Sequence, residues 1–65
     1  MKAQNLKPGM QYKDGNTIQE VKEINMITNK AITYRTRRVF PDIYDGNFFQ
    51  RKQLNTKIEI ICKNL

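Results

Sequence analysis

Alternating side chains along Ala31–Phe40 constrain the fold more than any other feature of the sequence. Ile32, Tyr34 and Thr36 fall on one side of an extended chain, while threonine and arginine residues fall on the other side. Pro41 follows, and proline cannot donate a hydrogen bond to a neighbouring strand. The pattern therefore predicts a long strand that ends before Pro41, with an inward apolar face and an outward basic face.

The chain has 65 residues, of which 38% are hydrophobic and 28% are charged. This composition suits a small folded protein, so we expect residues 1–65 to form a single domain, with residues 1–5 frayed. The sequence contains no histidine, no serine and no tryptophan, and it has a single cysteine. Because these side chains supply no nucleophile–base pair, we expect a protein that is not an enzyme and that holds no cofactor or metal.

The single cysteine, Cys62, lies in an apolar run that begins at Ile58. It has no partner for an internal disulfide, and we expect it to pack inward as a small hydrophobic residue. A reduced thiol of this kind suits the cytoplasm, which is the expected compartment. The sequence shows no signal-peptide pattern and no apolar run as long as a membrane span.

Weaker signals on both sides of the long strand complete an all-β pattern. Asp14-Gly15-Asn16 favours a tight hairpin turn, because these residues tolerate the positive φ that such turns require. A second turn is predicted at Asp45-Gly46, in the loop that follows Pro41. The other predicted elements are a strand at residues 10–13, a short strand at 48–50, a helical turn at 51–55 anchored by Leu54, and a final strand at 57–62.

Residues 17–27 carry an ambiguous pattern. Their apolar residues recur at every third position, which is typical of a helix, and Thr17 and Glu20 have the spacing of a capping box. The segment nevertheless lies between two turn-like runs. A long strand with a β-bulge, which shifts the inward face by one residue, accommodates the same spacing. We favour the bulged strand and keep the helix as the alternative. The apolar residues are Ile18, Val21, Ile24 and Ile27.

The order of these elements resembles a small SH3-like β-barrel. Residues 6–10 resemble the lead-in of such barrels, and residues 21–25 followed by 31–35 resemble their central hairpin. Gln53-Leu54, before Ile58-Glu59-Ile60, resembles the turn that precedes their last strand. The resemblance implies about five strands, with one short 3-10 or helical turn before the last strand. It does not extend to binding proline-rich peptides, because the paired tryptophan and the aromatic clusters of that function are missing. The Asn- and Ile-rich composition is similar to small products of phages, plasmids and prophages.

The run from Tyr34 to Arg38 combines three arginines with an aromatic residue. On a strand, Arg35 and Arg37 project from the same face about 7 Å apart, close to the spacing of successive phosphates in nucleic acid. Arg38 falls on the opposite face, where a bulge or the following loop would let it reach solvent. Because a guanidinium can hold two phosphate oxygens, the run predicts a phosphate-binding surface. The alternative is an exposed strand whose arginines prevent aggregation.

A second group interleaves aromatic and basic residues around residues 44–52. Phe48 and Phe49 are adjacent, so only one of them can face the core of a strand, and the other is exposed or covers one end of the barrel. We expect both to pack against the core or against a barrel end, because so small a domain has few large hydrophobic residues. We expect Tyr44, in the loop after Pro41, to be a surface residue that contacts a ligand. Arg51 and Lys52 follow as further candidate phosphate ligands.

Asp42 and Asp45, together with Asn47, have the residue types of a metal site or of a pair of acid–base groups. The series is too short for a calcium-binding loop and lacks its terminal glutamate. We therefore expect these residues to serve the turn rather than chemistry.

The charge balance indicates the class of partner. Twelve Lys and Arg against six Asp and Glu give a net charge of +6, which attracts nucleic acid, an acidic protein or an anionic membrane. No long amphipathic basic helix is evident, so we expect no membrane attachment. The leading hypothesis is a non-enzymatic module that binds nucleic acid with low specificity. Its candidate contact residues are Arg35, Arg37, Arg38, Arg51 and Lys52, helped by Tyr34 and Tyr44.

The alternative hypothesis comes from the class of interaction proteins. An accessory factor or inhibitor could present the same basic face to an acidic protein, with an exposed edge strand or the apolar loop after Pro41 as its interface. In that case the interface anchors would be Ile43, Tyr44 and Phe48. A third possibility is a homo-oligomer in which that apolar loop is buried between copies. The sequence alone does not choose between DNA and RNA or name a protein partner.

Overall fold

The computed structural model describes residues 1–41 and 47–62, which form one antiparallel sheet of five strands and one 3-10 helix. The expected all-β class is confirmed. Within the described ranges, no helix has the length and hydrophobicity needed to cross a membrane. The elements are the 3-10 helix Ala3–Asn5, β1 Gln11–Asp14, β2 Thr17–Ile27, β3 Ala31–Phe40, β4 Asn47–Gln53 and β5 Glu59–Cys62.

The strands lie across the sheet in the order β4-β3-β2-β1-β5. The first four strands form an antiparallel meander, and β5 returns to pair with the outer side of β1. Within the described residues β4 and β5 do not pair with each other, so the sheet is open and the expected closed barrel is not formed. Glu59, Ile60 and Cys62 of β5 pair with β1, and Ile61 falls at a register shift. The two edge strands of the sheet are β4 and β5.

The central strand β3 has the predicted bounds and the predicted alternation. Ile32, Tyr34 and Thr36 are completely buried, whereas Arg35 and Arg37 on the opposite face are only partly buried. The predicted hairpin turn before β2 is also present. Gly15 has a φ of 61°, and among the described residues no non-glycine residue has a positive φ. Gly15 therefore provides the positive φ of this turn.

β2 is a strand with bulges, as favoured from the sequence, and not a helix. Its pairing with β3 shifts between Val21 and Glu23 and again between Ile24 and Met26, so that β2 carries one extra residue at each place. Each extra residue moves the inward face by one position. Val21, Ile24 and Ile27 therefore lie opposite inward-facing residues of β3 although they are three residues apart, and Ile27 is still 56% exposed. The fourth apolar residue, Ile18, lies opposite the exposed Phe40 and does not share this face.

Residues 1–5, which we expected to fray, are joined to the rest of the sheet by backbone hydrogen bonds. The side chain of Ala3 is completely buried in the hydrophobic core. The backbone N–H of Ala3 donates to the carbonyl of Thr56 at 2.8 Å, and that of Gln4 donates to the carbonyl of Leu54 at 2.9 Å. These bonds join the 3-10 helix to the turn before β5. Mostly polar side chains gave no sign of this backbone pairing.

The predicted helical turn at residues 51–55 is also wrong. Arg51–Gln53 continue β4, because Arg51 pairs with Thr33 and Lys52 pairs with Ile32 in the ladder with β3. Cross-strand pairing thus overrides the local preference for a turn. The 3-10 helix of the protein lies near its N-terminus, not before the last strand. Leu54 still packs against the core, as expected.

The core contains a buried pair of tyrosines. The hydroxyl oxygens of Tyr12 and Tyr34 are 3.0 Å apart, and their rings meet edge to face with centroids 6.3 Å apart. Nearby on the same face, the Thr36 hydroxyl donates to the side-chain carbonyl of Gln19 at 3.0 Å. Each of these buried polar groups therefore has a partner, as burial requires. The core residues are Ala3, Leu6, Met10, Tyr12, Val21, Ile32, Tyr34 and Ile58.

Replacing one tyrosine of this pair should lower the free energy of unfolding by more than half of the loss caused by replacing both. We expect Tyr12→Phe or Tyr34→Phe to lower the free energy of unfolding by about 1–3 kcal/mol, because the remaining hydroxyl is left buried without its partner. The double variant should cost less than the sum of the two single variants. Urea unfolding of the four proteins measures this. Strictly additive losses would show that the two hydroxyls do not depend on each other.

The same pair should make the protein sensitive to alkali. Burial raises the pKa of Tyr12 and of Tyr34 above the ordinary value of 10.0, and the hydrogen bond between the two hydroxyls raises that of Tyr12 further. The unfolded chain therefore releases protons above pH 10 that the folded protein keeps. Stability should fall by up to about 1.4 kcal/mol per pH unit for each tyrosine. The double Phe variant, followed by the same pH series of urea unfolding, should lose this part of the slope; an unchanged slope would contradict the assignment.

Candidate nucleic-acid interface

The two strands β3 and β4 present one outward surface, which we call the outer patch. In their ladder, Arg35 lies opposite Phe49, and Arg37 lies opposite Asn47. Directly opposed residues share a face of the sheet, and Arg51 lies two positions after Phe49 on that face. The outer patch therefore consists of Arg35, Arg37, Asn47, Phe49 and Arg51.

Phe49 is the most exposed large hydrophobic side chain in the described part of the chain, at 79% of its surface. Phe48 lies opposite the buried Thr36, on the core side, and is 36% exposed. Only one of the two residues therefore faces inward, and the expectation that both pack against the core or a barrel end is wrong for Phe49. The ring of Phe49 therefore projects from the outer face of the sheet, with Arg35 directly opposite it on the neighbouring strand.

Arg35 is held in place by two neighbours. Its Nε donates to a carboxylate oxygen of Glu23 at 3.0 Å, and its Nη1 donates to the side-chain oxygen of Asn47 at 3.0 Å. Glu23 is on β2, so the guanidinium links three strands across the outer face. Part of the positive charge of Arg35 is thus neutralised, and its orientation beside Phe49 is restricted.

Acidic residues of β2 border the outer patch on one side. Glu20 lies opposite Arg37 in the β2–β3 ladder, and Glu23 lies opposite Arg35. Hydrogen bonds from Lys22 at 2.7 Å and from Gln11 at 3.1 Å lower the pKa of Glu20, and the charge of Arg37 contributes to the same shift. Glu20 is therefore an anion at neutral pH. The carboxylates of β2 balance positive charge on their side of the outer face, so its net positive charge lies toward β4.

Two of the predicted contact residues lie on the core side of the sheet. Tyr34 is completely buried and cannot meet a ligand at the surface, because the alternation that directs Arg35 outward directs Tyr34 inward. Lys52 lies opposite the buried Ile32 and is half-buried. Neither residue belongs to the outer patch.

Arg38 also departs from the outer patch. It pairs with the buried Gln19, next to a register shift that places an extra residue, Val39, in β3. Its Nε is buried and has no hydrogen-bond acceptor among the described residues, while the residue as a whole is partly exposed. Arg38 therefore lies on the inward side of the sheet end, as expected from the alternation.

Several predictions concern residues outside the described part of the chain. These are the surface position of Tyr44 and Ile43, the turn at Asp45-Gly46, and the pairing of Asp42 with Asp45. The inward direction of the Cys62 side chain also lies outside what the structure describes. Asn47, which the sequence analysis grouped with Asp42 and Asp45, belongs to β4, and its side-chain oxygen accepts a hydrogen bond from Arg35.

Sequence reasoning missed three members of this site. Glu20 and Glu23 were not connected to the arginines, because their register against β3 depends on a bulge whose position the sequence does not reveal. Asn47 was read only as a loop residue. The outward direction of Phe49 had a usable signal, since it shares the two-residue period of Arg51.

Comparison of the chain with protein families, with curated proteins and with solved structures finds no match in any of the three. The functional argument therefore depends on the geometry of the outer patch.

The ion pair between Arg35 and Glu23 should orient the guanidinium more than it stabilises the fold. Both side chains are partly exposed, so we expect Glu23→Gln to lower the free energy of unfolding by less than about 1 kcal/mol. The loss should shrink at high salt, and it should vanish in an Arg35→Gln background. Urea unfolding of the four proteins checks this. A large loss that persists in that background would show that Glu23 acts through another contact.

Proposed function

We propose that this protein is a non-enzymatic module that binds single-stranded nucleic acid across the outer patch with little sequence preference. The observation that carries the proposal is the exposed ring of Phe49, flanked by arginines on a rigid two-stranded surface. Proteins that hold single strands in this way combine base stacking on aromatic side chains with cationic contacts to the backbone.

The stacking contact belongs to Phe49. An isolated, exposed phenylalanine is costly to leave in water, and its ring face is accessible because no described neighbour covers it beyond the cross-strand Arg35. Every base offers a π-face of similar chemistry, so stacking gives affinity without selecting a base. This supports low specificity.

The phosphate contacts belong to Arg51, Arg37 and Arg35. Arg51 is exposed on the free edge strand and follows Phe49 by two positions, a spacing of about 7 Å. Arg35 already shares its charge with Glu23, so it contributes less than Arg51. Because Glu20 and Glu23 repel phosphate along β2, the bound nucleic-acid strand is expected to run along β3 and β4.

We propose in addition that the sheet has the arrangement of a small SH3-like fold. The support for it is the four-stranded meander followed by a fifth strand that returns beside the first, together with the bulges in β2. Small β-barrels of this kind bind oligonucleotides on an exposed strand surface. The fold alone does not identify a ligand, so the proposal depends on the outer patch.

Two substitutions of Phe49 should separate stacking from general hydrophobicity. We expect Phe49→Leu to weaken binding of a fluorescent oligothymidylate or oligouridylate by about 5- to 150-fold, because base–aromatic stacking contributes about 1–3 kcal/mol. Phe49→Tyr keeps an aromatic ring and should bind like the parent protein. Fluorescence anisotropy at fixed salt measures both. Equal affinity of the Leu and Tyr variants would contradict the proposed stacking.

A salt series and two other ligands test the remaining parts. With three arginines on phosphates, log K should fall against log salt with a slope of about −2 on a single strand. The duplex of the same sequence should bind more weakly, because its bases are not free to stack. Polyglutamate represents an acidic protein partner. If polyglutamate binds as tightly as the oligonucleotide and is indifferent to Phe49→Leu, the alternative of an acidic protein partner is favoured instead.

A further inference from the structure

The outer side of β4 carries backbone groups that can join another strand. The N–H of Leu54 donates to the carbonyl of Lys30 at 3.4 Å, one step beyond the pair of Ala31 with Gln53. Hydrogen-bonded and non-bonded pairs alternate along an antiparallel ladder, so the even-numbered residues of β4 turn their N–H and C=O toward β3. The odd-numbered residues turn theirs outward, where no strand of the described residues pairs with them. They are Asn47, Phe49, Arg51 and Gln53.

The sequence of β4 is complementary to its own reverse. When two copies are placed antiparallel about a two-fold axis at Gln50, Phe49 of each copy lies opposite Arg51 of the other. Phe48 likewise lies opposite Lys52 of the other copy. No two like charges are directly opposed, and each aromatic ring meets a cation, an arrangement that favours pairing.

We propose that the protein forms a symmetric dimer in which two β4 strands pair edge to edge in this register and join the two sheets into one. The hydrogen-bonded pairs are those of Phe49 with Arg51 and of Asn47 with Gln53, whose backbone groups all point outward. The non-bonded pairs are Gln50 with its symmetry mate and Phe48 with Lys52. Both sets alternate as an antiparallel ladder requires.

Other registers satisfy fewer of these conditions. In any two-fold pairing, the outward-pointing odd-numbered residues of one copy must oppose odd-numbered residues of the other copy. The two-fold axis must therefore pass through a residue of the strand, and other registers place it at a residue other than Gln50. With the axis at Arg51, the two Arg51 side chains are directly opposed, which is unfavourable. With the axis at Phe49, Lys52 and Gln53 have no partner within β4. The axis at Gln50 alone pairs all seven residues of β4.

The dimer also accounts for the exposed apolar surface of this edge. An edge strand that carries an exposed phenylalanine invites pairing with another chain, and a second copy supplies a strand of matching chemistry. A two-fold axis perpendicular to the sheet keeps both outer patches on the same side. The two Phe49 residues would then be diagonal neighbours at about 7–8 Å. The dimer itself does not require that the outer patch binds nucleic acid.

Cysteine cross-linking reads the register directly. In a Cys62→Ser background, Gln50→Cys places two thiols opposite each other at a non-bonded pair, where strands are closest. We expect mild oxidation to convert this variant to a covalent dimer. Gln53→Cys is the matched control, since its two copies are six residues out of register and should stay uncross-linked. Cross-linking at both positions alike, or preferentially for Phe49→Cys or Arg51→Cys, would overturn the register.

Sedimentation equilibrium tests the association independently of any cysteine. The parent protein should show twice the 7.7 kDa mass of one chain, with a monomer appearing on dilution. Arg51→Pro removes an outward N–H and leaves the ladder with β3 intact, so this variant should have a native circular dichroism spectrum and the mass of a monomer. A parent protein that stays monomeric at millimolar concentration, or an Arg51→Pro variant that is still dimeric, would overturn the proposal.

Discussion

The two-residue period of β3 is the constraint on which the rest of the structure depends. Because β3 is paired on both sides, its inward residues Ile32, Tyr34 and Thr36 become the centre of the core. The same geometry forces Arg35 and Arg37 onto the opposite face. Core and surface are therefore set together, and a change of register by one residue would bury the arginines and expose the core. In a small chain with few large apolar residues, no other packing would compensate.

The predictable parts of the fold are those in which local pattern and tertiary pairing agree. The bounds of β3 and the turn at Gly15 follow from alternation and from turn chemistry, and both are present. In β2 the apolar spacing of three was correctly attributed to bulges rather than to a helix. The failures lie where distant pairing decides: residues 51–55 extend β4, and Ala3 is fixed by backbone bonds to the turn before β5.

The residues of the candidate site also divide into those that the local pattern predicts and those that distant pairing decides. The period of two placed Arg35 and Arg37 outward, and it already implied that Tyr34 could not join them. It could not reveal Glu23, whose position beside Arg35 depends on an extra residue in β2. The arginines are consequently less available than their number suggests. The exposed ring of Phe49, between these groups and the free edge, is the feature that charge counting alone would overlook.

A nuclear magnetic resonance titration with a short oligothymidylate shows whether the outer patch is the binding surface. We expect the largest shifts on the ring of Phe49 and on the side chains of Arg35 and Arg51, with β1 and β5 little changed. Shifts centred on β1 and β5, or no shifts at low salt, would contradict the proposed binding surface.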